Sequence, residues 1–350
     1  MKQEEAEKHI IRDTETVLDA LARLNTLSGG LMTLVVIDAD RHVLGTVTDG
    51  DIRRALIRGV ALGESVLRAA FTSCTLLRPD DDPYLKVAAA RDRGITLLPG
   101  VGTDGRLEKI IDLRKRQAII PVEAVLMAGG KGERLRPMTL TRPKPLLEVG
   151  GRPIIDYNIN ALRRVGIDRI CVSVNYLKEQ LIEHFRDPRF EGKVECVEEP
   201  CRLGTMGSLA YCAPFTKPDV LVMNSDLLTD MDFEDLFLHH KHSGADLTMA
   251  VVSYPVSIPF AIIATDGDRV TGLSEKPTFN NLANAGVYLM SRRVAESVVK
   301  GEYLDAPDLL ERVIVEGGKV GWYQIKGTWI DIGSPDDFRY ANDLMKLRHL

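Results

Sequence analysis

The sequence has few cysteines, and their arrangement does not suggest a metal site. Five cysteines occur in 350 residues, and they form no CxxC pair and no cysteine–histidine spacing of the kind that binds zinc. The odd number also opposes a disulfide framework. The sequence therefore predicts reduced thiols, as in a cytosolic protein without structural zinc.

Long apolar runs and excess positive charge are lacking as well. The longest apolar runs fall far below the roughly 20 residues that a membrane helix needs, and the N-terminal segment MKQEEAEKHIIRDTET is charged where a secretory signal would be apolar. The net charge of -5 opposes a general nucleic-acid surface. The seven histidines suggest no nucleophilic triad. We expect a cytoplasmic protein with neither a membrane nor a nucleic-acid partner.

The length predicts more than one domain. A chain of 350 residues exceeds what one hydrophobic core usually serves, and at roughly 150 residues per domain it predicts two. The pattern of strands and helices changes near Pro121. We predict an N-terminal domain over residues 1–119 and a C-terminal domain over residues 120–350.

The N-terminal part contains an internal repeat. A helical pattern over 14–28 is followed by the strands LMTLVVID and VLGTV and the helix DIRRALIRG. The order of helix, strand and strand recurs from YLKVAAARDRG onward, after about 60 residues. We predict a tandem pair of small α/β units.

Thr48 and Asp51, within GTVTDGDIR, lie where the strand of the first unit becomes a helix. A hydroxyl and free N–H groups there can hold phosphate, and a carboxylate can hold ribose hydroxyls. The same two residues can instead cap the helix, and both alternatives stay open. In the second unit Asp112 and Lys115 stand at the matching positions, so we expect at most one nucleotide site in the pair.

On this motif, residues 1–118 resemble a cystathionine-β-synthase (CBS) domain pair. The resemblance implies a regulatory module that often dimerises and binds adenine nucleotides, with Thr48 and Asp51 at the phosphate and ribose positions. It implies a homo-oligomer, either a dimer or a larger assembly.

From residue 120 the chain alternates strand and helix. The patterns VEAVLMA, RICVSVN, VECVEE and DVLVMNSD predict strands, and PIIDYNINALRRVG, KEQLIEHF and TMGSLAYCA predict helices. This order predicts a Rossmann-like α/β domain with a mostly parallel, doubly wound sheet.

The segment GGKGERL follows the first of these strands directly. A strand that leads through glycines into a helix presents backbone N–H groups to an anion. The segment lacks the ending of a Walker A loop and the third glycine of a dinucleotide fingerprint. Arg134 follows the glycines, and Lys144 lies between Pro143 and Pro145, which restrict where its ammonium points. A triphosphate site is favoured over a solvated basic loop.

Two aspartates are candidate ligands for the Mg2+ that accompanies a nucleoside triphosphate. Asp226 ends the apolar strand DVLVMNSD, and Asp331 lies between apolar neighbours in GTWIDIGSP. Mg2+ is usually bound by one or two protein carboxylates together with phosphate and water. Each aspartate alone could equally be a cap or a turn residue.

Residues 122–350 resemble the sugar-1-phosphate nucleotidyltransferase family along their whole length. The matching elements are GGKGERL, RPKPLL, LGTMGSL, NSD, EKP, NAGVYLM and GTWIDIGSPDDF. The resemblance implies attack of a sugar 1-phosphate on the α-phosphorus of a nucleoside triphosphate, with pyrophosphate leaving. It assigns catalytic roles to Arg134 and Lys144 and metal ligation to Asp226 and Asp331. The other implied contacts are nucleotide contacts at Met127, Ala128, Gly129, Gly130 and Gly132, and sugar contacts at Glu275, Lys276 and Asn284.

The segment VEEPCRLGTMGSL matches the base-reading loop of that family, with Glu199, Leu203 and Gly204 as candidate base contacts. A carboxylate only accepts hydrogen bonds, and guanine offers two adjacent donors where uracil and thymine offer one. GTP is therefore favoured, with UTP or dTTP as the alternative; Glu199 could also only brace the loop. A non-catalytic nucleotide sensor is a second alternative.

The catalytic half is similar to guanylyltransferases that act on mannose, heptose or glucosamine 1-phosphates. With its N-terminal pair, the chain resembles the glucosamine-1-phosphate guanylyltransferases of legionaminic acid synthesis, which serve bacterial surface glycans.

Overall fold

A computed structural model of the protein describes residues 3–348, and the chain divides into two compact units. The first unit ends at Ile120 and also includes residues 164–166; the second begins at Pro121. Among residues 3–348, no helix is both long and apolar enough to cross a membrane.

The first unit repeats one order of elements. Its helices and strands are α1 (Gln3–Glu7), β1 (Ile10–Arg12), α2 (Val17–Thr26), β2 (Thr33–Ile37), β3 (Val43–Thr48), α3 (Asp49–Ile57), α4 (Pro83–Asp92), β4 (Leu97–Val101) and β5 (Leu107–Asp112). In both repeats a helix precedes two antiparallel strands, β2 with β3 and β4 with β5. Apolar side chains of both repeats form one cluster, in which Val35 and Ile37 pack with Leu97 and Ile110.

The second unit contains the remaining elements. They are β6 (Val122–Met127), β7 (Glu148–Val149), β8 (Arg152–Pro153), α5 (Ile154–Arg164), β9 (Ile170–Val174), α6 (Lys178–Phe185), β10 (Val194–Glu198), α7 (Leu209–Cys212), β11 (Asp219–Asn224), β12 (Leu227–Thr229), α8 (Phe233–Ser243), β13 (Leu247–Ser257), β14 (Ile262–Asp266), β15 (Arg269–Ser274), β16 (Thr278–Ser291), α9 (Arg292–Ala295), α10 (Ala306–Val315), β17 (Val320–Gln324), β18 (Trp329–Asp331) and α11 (Pro335–Arg348).

Seven of these strands form the central sheet, in the order β10-β9-β6-β11-β16-β13-β17. Neighbouring strands are parallel except at β16, which runs antiparallel to both β11 and β13. The expected mostly parallel sheet is confirmed. Strands β6, β9 and β11 are almost continuously buried, as expected for strands covered on both faces.

The segment after β6 does not pass from the glycine loop directly into an α-helix. In place of an α-helix, the glycine loop leads into three 3₁₀ turns, at Glu133–Leu135, Met138–Leu140 and Lys144–Leu146. Pro137, Pro143 and Pro145 lack the N–H that a continuing α-helix would need. The loop therefore presents its groups without the dipole of a following α-helix.

Candidate active site

A cavity of about 290 Å³ lies at the carboxyl ends of β6 and β11. The two strands are parallel neighbours with Met127 opposite Asn224, so the segments that follow them meet at one edge of the sheet. The cavity is lined by Met127, Ala128, Gly130, Gly132, Glu133, Arg134, Leu135, Lys144, Pro145, Ser225, Asp226 and Gly333. The structure thus brings most of the predicted triphosphate residues together.

Gly132 allows the glycine loop to turn tightly beside Lys144. Its φ of 59° lies in the left-handed region, and a Cβ there would lie 2.9 Å from Thr139 Cγ2 and 3.2 Å from Lys144 Cβ. The buried Thr139 hydroxyl also donates to the Gly132 carbonyl at 2.8 Å. Thr139 therefore holds the loop in place, a role that sequence reasoning missed.

Lys144 lies between the two predicted metal ligands. Its ammonium forms an ion pair with Asp226 Oδ2 and lies 3.5 Å from Asp331 Oδ1. The Lys144 side chain is only 12 % exposed. One lysine therefore contacts two partly buried carboxylates and offsets part of their charge.

The two aspartates meet because a short antiparallel ladder joins distant parts of the chain. In this ladder of β12 and β18, Leu227 pairs with Asp331. The N–H of Ile332 donates to the carbonyl of Asp226 at 3.2 Å. The backbone itself therefore fixes the separation of the two carboxylates.

The carboxylates have the chemistry of a divalent-cation site. Asp226 Oδ1 and Asp331 Oδ1 are buried, and neither accepts a hydrogen bond from a residue that the structure describes. Burial and the nearby Asp226 charge raise the pKa of Asp331, which Lys144 and Arg134 oppose. Hard oxygen donors that lack a hydrogen-bond partner fit Mg2+. Residues 3–348 contain no cluster of three or more His, Cys, Asp or Glu able to hold a metal, so phosphate and water would have to supply the other ligands.

Arg134 lies over the backbone that follows Asp331. A Cβ on Gly333 would lie 3.0 Å from Arg134 Nη2, so a side chain at residue 333 would require the guanidinium to shift. Ser225, next to Asp226, donates through its hydroxyl to the Met127 carbonyl at 2.6 Å. Sequence reasoning missed Ser225 and Gly333, although both lie in motifs, NSD and GTWIDIGSP, that pointed to this site.

Glu199 lies against the start of the glycine loop. Its Oε1 would be 2.9 Å from a Cβ on Gly129, and its N–H donates to the Val174 carbonyl at 3.0 Å. Burial raises the pKa of the Glu199 carboxyl, with the Ser173 hydroxyl acting in the opposite direction. A half-buried carboxylate therefore lies beside the loop, where it could contact a base or only brace the backbone.

Leu203 and Gly204 pack into the protein. Leu203 is 1 % exposed, and its carbonyl accepts from the N–H of Leu304 at 2.9 Å. Gly204 has a φ of 77°, and a Cβ there would lie 2.5 Å from the Leu304 carbonyl oxygen. Packing against the backbone of Leu304 therefore explains why residue 204 is glycine. Base contacts by Leu203 and Gly204 stay a prediction.

None of the three predicted sugar residues lines the cavity. Asn284 donates to the Tyr288 hydroxyl at 2.6 Å and accepts from the Gly286 N–H at 2.9 Å. Gly286 lies against the side chain of Asn224, at the end of β11. Glu275 and Lys276 are exposed in the turn between β15 and β16, and neither lines the cavity. Their contact with a sugar stays a prediction.

Thr48 and Asp51 form a reciprocal cap at the start of α3. The Thr48 hydroxyl accepts from the Asp51 N–H at 3.2 Å, and the Asp51 carboxylate accepts from the Thr48 N–H at 2.9 Å. Arg54 also donates to Asp51 at 2.6 Å. These contacts account for both residues without a ligand, so a nucleotide contact stays a prediction.

Sequence comparison identifies the family of the second unit. Residues 123–346 match the family described as Nucleotidyl transferase. The chain belongs to this family. The expected nucleotidyltransferase resemblance is thereby confirmed, and the cavity described above is the candidate active site of a nucleotidyl transferase.

Two curated relatives narrow the comparison within the nucleotidyl transferases. A Sulfolobus acidocaldarius protein, assigned as a mannose-1-phosphate guanyltransferase, is 31% identical over 233 residues, covering 65% of this chain and 64% of the relative. The mannose-1-phosphate guanylyltransferase catalytic subunit beta of Danio rerio is 31% identical over 230 residues, covering 62% of each chain. The matched region thus spans a little less than two thirds of these relatives.

Structure comparison supports the fold. The crystal structure of HddC from Yersinia pseudotuberculosis complexed with GMP-PN superposes with a TM-score of 0.50 at 24% sequence identity. The match covers 63% of this chain and 98% of HddC. The second unit therefore has the α/β fold of a nucleotidyl transferase.

Proposed function

We propose that the protein is a sugar-1-phosphate guanylyltransferase that converts GTP and a sugar 1-phosphate into a GDP-sugar and pyrophosphate. The observation that carries the proposal is the shared cavity, where the glycine loop, Lys144 and Asp226 meet and where Lys144 also contacts Asp331. Neutral or apolar ligands would not need two cations and two carboxylates in one small space. The names of the curated relatives support guanylyl transfer.

The reaction joins one phosphate oxygen of the sugar 1-phosphate to the α-phosphorus of GTP, while the bond from that phosphorus to the bridging oxygen of pyrophosphate breaks. A phosphate oxygen is already a nucleophile, so no serine, cysteine or histidine needs activation. The work left to the protein is to align the two phosphates and to stabilise charge. We assign alignment of the triphosphate to the backbone of Gly129, Gly130 and Gly132, and charge stabilisation to Lys144 and Arg134.

We propose Asp226 and Asp331 as the ligands of Mg2+, which when bound would stabilise negative charge on the phosphate oxygens. Their unsatisfied carboxylate oxygens support this assignment. Arg134 suits a bidentate grip on the β,γ-phosphates, because its guanidinium presents paired donors. Lys144 suits a single contact as a point charge at the α-phosphate.

For the base we propose guanine, with Glu199 accepting from N1–H and the 2-amino group. Its position against Gly129 supports this choice. We propose a sugar 1-phosphate of the mannose, heptose or glucosamine type as the second substrate. The relatives' names favour mannose, and the link to legionaminic acid rests on sequence resemblance alone.

Pyrophosphate release with four nucleoside triphosphates and a panel of sugar 1-phosphates tests the proposal. We expect GTP to be at least about tenfold better in kcat/KM than UTP, dTTP or ATP, since a lost pair of donors to a buried acceptor costs at least that factor. Glu199→Gln should reduce the preference for GTP over the other triphosphates. The amide oxygen of glutamine can accept a hydrogen bond from one guanine donor, but its NH2 group cannot accept one from the other. Release with UTP or dTTP alone would reverse the base assignment, and no release with any pair would favour a nucleotide sensor.

For the first unit we propose a CBS-type regulatory module that binds an adenine nucleotide or holds two copies of the chain together. The repeated order of helix, strand and strand supports this proposal. A cytoplasmic location likewise stays a prediction, supported by five free cysteines.

Calorimetry with AMP, ADP and ATP tests the first unit. If Asp51 binds ribose hydroxyls, Asp51→Ala should weaken binding about tenfold or more, since it removes a charged hydrogen-bond acceptor. Because the change also removes a helix cap, a thermal melt must accompany it. Asp49→Ala, in the same helix turn and exposed, is the matched control. Equal binding by wild type and Asp51→Ala would leave Asp51 as a cap only.

A further inference from the structure

We propose that Lys144 is an internal counter-cation that keeps free divalent metal out of the site until a triphosphate arrives. The inference rests on the proposed function only in taking Asp226 and Asp331 as metal ligands. It goes beyond that function because it assigns Lys144 a role in the ligand-free protein and predicts how metal enters.

The Lys144 ammonium lies against the two carboxylates that would otherwise be free to bind a metal. Its ammonium contacts Asp226 Oδ2 and lies 3.5 Å from Asp331 Oδ1, so it spans both carboxylates. The Lys144 side chain is only 12 % exposed, so solvent screens little of its charge. A cation bound to both carboxylates would therefore lie close to a poorly screened positive charge.

The charges of the site also disfavour a divalent ion that arrives without a triphosphate. Asp226 and Asp331 carry two negative charges, and Lys144 and Arg134 carry two positive charges, so these four groups balance. The neighbouring Glu133 is 3.6 Å from Arg136, which compensates it separately. A divalent ion alone would leave an excess of two positive charges in a half-buried space, whereas a metal bound to a triphosphate brings a net negative charge.

The arrangement also lets Lys144 change partner without a large movement of the chain. Its backbone is held between Pro143 and Pro145 at the start of a 3₁₀ turn, and Gly132 lies against its Cβ. The ammonium lies on a flexible stem and can turn from the carboxylates to a phosphate in the same cavity. Metal and nucleotide would then bind as one unit, and the lysine released from the aspartates would meet the phosphates.

Binding of Mn2+ alone, measured with the full chain from the EPR signal of free Mn2+ and without nucleotide, tests this role. We expect Lys144→Gln to bind Mn2+ about tenfold or more tightly than wild type, because the nearby positive charge is gone. Lys144→Arg keeps the charge and should bind Mn2+ as weakly as wild type. Lys131→Gln removes an exposed lysine of the same loop and should also leave binding unchanged.

A double variant locates the metal. Asp226→Asn added to Lys144→Gln should abolish the gain in Mn2+ affinity, because it removes one of the two carboxylates. Equal Mn2+ affinity of wild type and Lys144→Gln would overturn the proposal, and so would a gain that survives Asp226→Asn. Thermal melts show whether each variant is folded, and Lys144→Arg provides a folded comparison at the same position.

The outcome can be separated from that of the proposed function. The Mn2+ measurement contains no nucleotide and no sugar phosphate, so it does not depend on turnover. A chain that shows the expected Mn2+ affinities but releases no pyrophosphate keeps the role of Lys144 and loses the enzymatic proposal. Pyrophosphate release, together with equal Mn2+ affinities of wild type and Lys144→Gln, would keep the enzymatic proposal and overturn the role of Lys144.

Discussion

Asp226→Asn should lower the Mg2+-dependent kcat for pyrophosphate release by about 10³-fold or more, the scale of losing a principal charge-stabilising group. The asparagine has nearly the same shape, but it loses the negative charge that pairs with Lys144 and that we propose binds the cation. The backbone of residue 226, which accepts from the Ile332 N–H, is unchanged, so the fold should persist. Steady-state kinetics with GTP and the best sugar 1-phosphate measure the loss.

Asp343→Asn is the matched control for this change. Asp343 is 70 % exposed and pairs only locally with Lys346 on the surface of α11, so kcat should stay near that of wild type. Circular dichroism of both variants should match wild type. A rate for Asp226→Asn within a few-fold of wild type would remove Asp226 from the site.

Arg134→Ala should reduce kcat/KM for GTP by about 10²- to 10³-fold, because it deletes a charged donor pair that we propose contacts the triphosphate. Arg134→Lys should recover only part of the loss, since an ammonium cannot make the bidentate contact. The effect should fall on the nucleotide, so KM for the sugar 1-phosphate should change less than KM for GTP.

The control for Arg134 lies two residues further along the same loop. Arg136→Ala removes an equal charge, but Arg136 is directed to Glu133 and does not line the cavity. We expect Arg136→Ala to change kcat/KM for GTP less than about threefold, the scale of an exposed ion pair. Equal losses in the two variants would mean that the loop contributes only its net charge.

Much of the fold could be read from the sequence, because strong local patterns specify it. KEQLIEHF corresponds to helix α6, and VEAVLMA and DVLVMNSD contain the adjacent strands β6 and β11. The segment directly after the glycine loop is not an α-helix. Prolines break that segment into 3₁₀ turns, and a strand–glycine–helix pattern does not reveal that change. The pattern TMGSLAYCA predicts a longer helix than the short α7. Gly204 and Gly207 pack against backbone just before α7. The local pattern does not reveal these tertiary contacts.

The site could be predicted less completely than the fold. Asp226 follows from a motif at the end of a strand, and parallel sheets bring such ends to one edge. Lys144 follows from its position between Pro143 and Pro145. Contacts that join distant segments left no such local signal. Glu199 against Gly129 and Arg134 over Gly333 are contacts of this kind.

By itself, the sequence determined the alternating α/β architecture, the position of the glycine loop after its first strand and the family of the second unit. The architecture and the loop position depend on periodicity, glycine and proline, which act over a few residues. The family follows from the resemblance of several ordered motifs. Only the tertiary structure decided that Asp226 and Asp331 share one lysine, because the ladder of β12 and β18 joins segments far apart in the chain. A charge balance among buried groups depends on distances in space, and those distances exist only after the chain has folded.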